Sequence, residues 1–125
     1  MITEFYQRVK DTMPEGIERK VLDVLSSHVG EENKIDLGRL TVAVTGADTV
    51  TTERQVREAI EMLRLRHVPV LSNSGTAGRW LAANRDEIAT ALNDLYARRD
   101  SLNRIIRGLE TVQLPDETKV QMELF

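Results

Sequence analysis

The feature that most constrains the fold is a run of side chains near the C-terminus, spaced alternately four and three residues apart. A heptad repeat of this kind returns to one face of a helix and therefore predicts a single long helix over residues 85–112. The seam consists of Ile88, Leu92, Leu95, Arg99, Leu102, Ile106 and Leu109. Such a helix is roughly 42 Å long, more than a domain of this size covers. We therefore expect a homodimer through 85–112, with Arg99 as a register device in the seam.

The chain has 125 residues, of which 41% are hydrophobic and 30% charged, values that suit one globular domain with a modest core. It contains no cysteine, which removes disulfides and thiolate metal sites. The first residues lack the apolar run of a signal peptide, and no segment approaches transmembrane length, so we expect a cytoplasmic protein. The pattern divides it into a domain over 1–84, a dimerisation helix over 85–112 and a tail over 113–125.

Before the long helix, periodicity and capping residues predict a mainly helical domain. Apolar residues at helical spacing after Pro14 predict a helix over 15–29, preceded by a short helix over 3–12. Asp36 is a good N-cap for a short second helix that ends at Gly46.

A third helix and a hairpin follow. Thr52 and Gln55 match the capping-box spacing and predict a helix over 52–66. Its inward face would consist of Val56, Ala59, Ile60 and Leu63. Two short strands, at 68–71 and 80–83, predict a β-hairpin, and Asn84 then caps the long helix.

This order of elements resembles the winged helix-turn-helix family of phage and bacterial DNA-binding proteins, over roughly residues 15–84. The resemblance is carried by Ile35-Asp36-Leu37, by the segment 56–64, by Val68-Pro69-Val70 and by Gly78-Arg79-Trp80. It implies a mainly α fold with a small β-hairpin. It also implies that the helix over 52–66 enters the major groove by its N-terminal half, and that the hairpin tip touches the DNA backbone. One departure is the link over 46–50, which is longer than the usual tight turn.

Candidate DNA contacts follow from the outward face of that helix and from the hairpin. They are Thr51, Thr52, Arg54, Gln55, Arg57 and Arg79. Residues 51–80 carry five basic and three acidic side chains, whereas the whole chain has a net charge of −3. The alternative is an ordinary solvated face, on which Glu58 and Glu61 repel phosphate and Arg57 pairs with Glu61.

The last five residues carry a second signal. Gln121-Met122-Glu123-Leu124-Phe125 resembles the bacterial sliding-clamp-binding peptide, whose pattern is Gln-Leu-Asp/Ser-Leu-Phe. The resemblance implies that Gln121 hydrogen-bonds in one subsite and that Leu124 and Phe125 fill an apolar pocket, with Met122 replacing a leucine. The alternative is a tail that packs Met122, Leu124 and Phe125 on its own chain.

Together these features predict a DNA-binding winged-helix protein, a replication or transcription accessory factor of phage or bacterial origin. The alternatives are a protein-interaction adaptor of the same fold, recruited through its C-terminal peptide and not binding DNA, and a small structural dimerisation module. A continuous positive patch around Arg54, Arg57 and Arg79 would favour the DNA-binding function. Arginines whose charges are neutralised by acidic neighbours would favour the adaptor. Trp80 is expected in the hairpin core. The sequence shows no motif of an enzyme, a metal site or a cofactor site, and we expect none.

Overall fold

A computed structural model describes residues 2–73 and 77–115 of the chain. Within them lie five α-helices, one turn of 3₁₀ helix at Glu31–Asn33 and three short strands. The elements are α1 (Ile2–Thr12), α2 (Ile17–Leu25), β1 (Ile35–Asp36), α3 (Leu37–Thr45), α4 (Val50–Leu65), β2 (Val70–Ser72), β3 (Gly78–Leu81) and α5 (Arg85–Glu110). The predicted class, mainly helical with a small hairpin and a long C-terminal helix, is confirmed. The chain divides into two compact units, one up to residue 94 and one from residue 95.

The core of the first unit lies where α2, α3 and α4 pack against one another. The inward face predicted for α4 is confirmed, since Val56, Ala59, Ile60 and Leu63 are all buried. Across from them lie buried side chains of the neighbouring helices, namely Val21, Leu22, Leu25, Leu37 and Leu40. Burial of this apolar surface is the main force that fixes the three helices against each other.

The sheet has three strands in the order β1-β3-β2, so the last strand in sequence is the central one. Both pairings are antiparallel, with Arg79 opposite Ile35 of β1 and Ser72 of β2. The sequence predicts only the hairpin and misses β1, because a strand of two residues is too short to show a period. The hairpin strands also lie at 70–72 and 78–81, shifted from the predicted 68–71 and 80–83.

Two helix boundaries differ from the sequence prediction. Helix α2 ends at Leu25 instead of at residue 29, because Val29 forms a parallel bridge with Leu81 of β3. Helix α4 begins at Val50, and its capping box joins Thr49 to Thr52 instead of Thr52 to Gln55. The backbone N–H of Thr52 donates to Thr49 Oγ1 (3.1 Å), and the N–H of Thr49 donates to Thr52 Oγ1 (2.8 Å).

The helix caps predicted at Asp36, Gly46 and Asn84 are confirmed. The carboxylate of Asp36 accepts hydrogen bonds from the backbone N–H groups of Gly38 and Arg39 at the start of α3. Gly46 ends that helix with φ of 89°, in the left-handed region that glycine adopts without strain. The side chain of Asn84 accepts from the N–H of Glu87 (3.0 Å) in the first turn of α5.

A single carboxylate, that of Glu87, joins the start of α5 to the sheet. Its Oε1 accepts from the indole N–H of Trp80 (3.0 Å) and from the N–H of Ala83 (3.1 Å), and its Oε2 accepts from the N–H of Glu31 (3.2 Å). Trp80 is 2% exposed and packs with Leu71, Ala82 and the partly buried Ile88 and Ala91. Trp80 is therefore a core residue, as expected.

The second unit contains the rest of α5 and a short extension. Every described residue from 95 to 115 is exposed, including a set of large apolar side chains. The set is Leu95, Tyr96, Leu102, Ile105, Ile106, Leu109, Val112 and Leu114. This unit therefore has no buried core of its own within its described residues.

Candidate nucleic-acid interface

Helix α4 presents most of the predicted contact residues on its exposed side. Thr51, Arg54 and Gln55 are exposed in its first two turns, as is Arg57. Thr52 is different, because its hydroxyl accepts from the N–H of Thr49 and donates to the carbonyl of Ala47 (2.7 Å). That hydroxyl therefore caps the helix N-terminus, whereas the other predicted side chains on α4 are exposed to solvent.

Arg57 is held by an acidic residue one turn earlier. Its Nη2 lies 2.8 Å from Glu53 Oε1, and its Nε donates to the same oxygen at 3.1 Å. The alternative of a solvated face named Glu61 as the partner of Arg57, and the structure pairs it with Glu53 instead. Both partners remain partly in water, and an exposed pair of this kind contributes little to stability. Its effect is to orient the guanidinium.

Arg64 lies two turns further along the same helix and was not among the residues predicted from the sequence. Its Nε donates to the carbonyl of Val70 (2.8 Å), and its Nη2 lies 3.4 Å from Ser72 Oγ. Both acceptors belong to β2, so this side chain joins α4 to the sheet. A spacing of seven residues from Arg57, which returns to one helix face, is the signal that could have identified it.

Arg79 occupies the central strand and is half-buried. Its Nη1 donates to the carbonyl of Gly78 (3.0 Å). Burial lowers the pKa of its guanidinium below the usual range, and the positive charges of Arg64 and Arg57 lower it further. Glu53 and Asp36 act in the opposite direction. Arg57 and Arg64 therefore both act on Arg79, and we call these three residues the arginine cluster.

The predicted residues are only partly brought together. Arg57 and Arg79 belong to the arginine cluster, whereas Arg54 lies on the outer face of α4, between the acidic side chains of Glu58 and Glu61 in helical order. Two of the predicted arginines thus group with Arg64 where α4 meets the sheet, whereas Arg54 shares the outer face of the helix with two glutamates. The predicted partner-binding residues Gln121, Met122, Leu124 and Phe125 lie outside the described residues.

Comparison with known proteins finds no relative of this chain. No family model matches the chain, and neither curated proteins nor solved structures give a match. Among residues 2–73 and 77–115, no group of three or more His, Cys, Asp or Glu side chains is placed to hold a metal ion. In the same residues, no helix combines the length and apolar character needed to span a membrane.

Proposed function

We propose that this protein binds duplex DNA through the arginine cluster and the N-terminal half of α4. The observation that carries the proposal is the cluster itself: Arg64 Nη2 lies 3.4 Å from Ser72 Oγ, and Ser72 lies opposite Arg79 in the sheet. The charges of Arg64 and Arg57 both act on Arg79, with Glu53 and Asp36 as opposing charges. Mutual repulsion makes such a group costly to hold together, and an anion placed between its members relieves that cost. Guanidinium groups favour phosphate because their planar N–H groups match its oxygens in pairs.

The position of the cluster suits a duplex better than a small anion. A winged helix docks with one helix in the major groove and its hairpin beside the backbone. The cluster joins the two elements that such docking uses, since Arg57 and Arg64 lie on α4 and Arg79 on β3 of the hairpin. Thr51, Arg54 and Gln55 then face base edges or phosphates from the first turns of α4. Such a role belongs to a replication or transcription accessory factor of phage or bacterial origin that acts in the cytoplasm.

Fluorescence anisotropy with a labelled generic duplex tests this proposal across about 50–200 mM salt. Replacing Arg54, Arg57 and Arg79 with alanine should weaken binding. It should also flatten the slope of log K against log salt by about one unit for each phosphate that the variant no longer neutralises. The matched control replaces three exposed arginines on other elements, Arg8, Arg85 and Arg107, with alanine and so changes the net charge equally.

Two results would overturn DNA binding by this face. One is a parent protein that shows no binding at low salt, and the other is a triple variant that binds as the parent does. Glu58→Gln provides a test of opposite sign, because removing a negative charge from the exposed face of α4 should tighten non-specific binding.

A second candidate function is a protein-interaction adaptor that does not bind DNA. Glu58 and Glu61 are exposed on α4 and Arg57 is already paired with Glu53, which favours this alternative. In that role the pentapeptide 121–125 recruits the protein to the bacterial sliding clamp. Calorimetry of a peptide of residues 113–125 against a clamp tests it, with a Gln121→Ala, Phe125→Ala peptide as control. Heat from the parent peptide, with no DNA binding by the full chain, would favour the adaptor.

A further inference from the structure

The second unit carries an apolar stripe along one face of α5. We define the stripe as Leu95, Leu102, Ile106 and Leu109, whose spacings of seven, four and three residues keep them on one side of the helix. Leu102 is 58% exposed, Ile106 48% and Leu109 71%. Leu92, which precedes them, is also exposed, whereas Ile88 packs on the core of the first unit. Of the predicted seam, Ile88 therefore packs on a core, whereas the apolar seam residues after it are exposed.

A helix in this condition needs a partner for its own stability. Residues 95–110 make about four turns, only slightly more than the roughly 12–15 residues below which isolated helices are marginally stable in water even with alanine-rich sequences. Most helical stability in proteins comes from packing one apolar face. Because every described residue from 95 to 115 is exposed, that packing is absent within the unit.

We propose that the stripe is covered by the same stripe of a second copy, in a parallel two-stranded coiled coil. Heptad spacing requires a partner helix of the same repeat, and an identical helix supplies it. The seven positions of a heptad are lettered a to g, and the side chains at a and d face the partner helix. Leu95, Leu102 and Leu109 occupy d positions, and Ile106 occupies an a position. A β-branched residue at a with leucine at d is the combination that favours two parallel strands. This inference does not depend on DNA binding.

Arg99 occupies the a position between Leu95 and Leu102, on the same helix face as the stripe. Its guanidinium lies over the ring of Tyr96, 5.0 Å from the centroid, and its Nη2 lies 3.5 Å from Asp100 Oδ1. In the proposed dimer these two contacts hold the guanidinium at the rim, and the aliphatic part of Arg99 lies along the seam. A charged residue at one a position fixes register at a cost in stability, because a shifted pairing would place it against leucine.

The oligomeric state of the full chain tests the proposal. Light scattering should give twice the chain mass of 14.2 kDa at micromolar concentration. A Leu102→Glu, Ile106→Glu variant should give the single-chain mass, because it places unpaired charges in the seam. The matched control, Ala97→Glu with Ser101→Glu, adds the same charge on exposed positions of the opposite face and should keep the double mass. The fluorescence of Trp80, the single tryptophan of the sequence and a buried residue of the first unit, shows whether that unit remains folded in each variant.

Two further variants test the seam and its direction. Arg99→Leu should tighten the dimer at least tenfold, because it replaces the charged a position by an apolar one. Since the chain has no cysteine, Leu109→Cys supplies a single thiol that should cross-link two copies under oxidation only if the helices are parallel and in register. A parent of single-chain mass at 100 µM would overturn the second-copy proposal, as would weaker dimerisation of Arg99→Leu. A dimer without the cross-link would overturn the parallel pairing.

Discussion

The two units of this chain contain similar apolar side chains and use them in opposite ways. In the first unit Leu22, Leu40 and Leu63 are fully buried, whereas in the second Leu95, Leu102 and Leu109 are all more than half exposed. One helix, α5, contributes residues to both units. The difference therefore arises from what each segment packs against and not from residue type. The first unit therefore contains a buried apolar core, whereas the described residues of the second unit leave their apolar face exposed.

The largest expected effect comes from truncating one leucine in each unit. Leu63→Ala should lower the free energy of unfolding by about 2–5 kcal/mol, because it leaves a cavity among α2, α3 and α4. Leu102→Ala, at concentrations too low for association, should change it by less than about 0.5 kcal/mol. Urea denaturation followed by circular dichroism measures both. If Leu102→Ala destabilised the dilute protein as strongly as Leu63→Ala, the contrast between the units would be wrong.

A smaller effect distinguishes the two tyrosines. The hydroxyl of Tyr6 donates to the carbonyl of Ala82 (2.5 Å), and burial, with the nearby charge of Glu87, raises its pKa to about 12. At pH 7, Tyr6→Phe should cost about 1 kcal/mol, the usual net value of one hydrogen bond. The folded state favours the neutral phenol, so its contribution is complete below pH 10 and should be lost between about pH 10 and pH 12.

Unfolding at a series of pH values measures this difference. The stability gap between the parent and Tyr6→Phe should be constant up to about pH 10 and then shrink. Tyr96→Phe is the control, since Tyr96 lies in the second unit and is 46% exposed. A gap that widened with rising pH would contradict the assignment.

An effect of about the same size concerns the cap of α4 in the first unit. Thr49→Ala should cost about 1 kcal/mol, because it removes the side-chain acceptor for the N–H of Thr52. Gln55→Ala should be within about 0.5 kcal/mol of the parent, since Gln55 is exposed and takes no part in the observed capping box. The reverse order of the two costs, measured by thermal or urea unfolding, would support the Thr52–Gln55 box that the sequence suggests.

Most of the helical fold could be predicted because its signals are local. The inward face of α4 follows from a period of 3.6 residues, and the caps at Asp36 and Asn84 follow from side chains next to the helices they start. The errors have non-local causes. Helix α2 stops early because Val29 pairs with Leu81, which is 52 positions further along the chain. Strand β1 was missed because it exists only through its pairing with β3.

The candidate interface shows the same division. Arg57 was identified from the exposed face of its helix, and Arg79 from its position in the hairpin. Arg64 was missed, since its importance lies in hydrogen bonds to β2 across a turn in the chain. The alternative of a solvated face paired Arg57 with Glu61, whereas the structure pairs it with Glu53, which is equally far from it in sequence. Side-chain geometry, which spacing leaves undetermined, selects Glu53.

The strand order has a consequence for how the chain folds during synthesis. The central strand β3 is the last to leave the ribosome, and both pairings of the sheet depend on it. Helices α1 to α4 emerge first, and β1 stays unpaired until β3 emerges more than forty residues later. Because long-range pairing is slow to form, we expect both pairings of the sheet to form late, after β3 has emerged. A chain that stops before residue 78 therefore loses the entire sheet at once, and Leu81 is missing from its core.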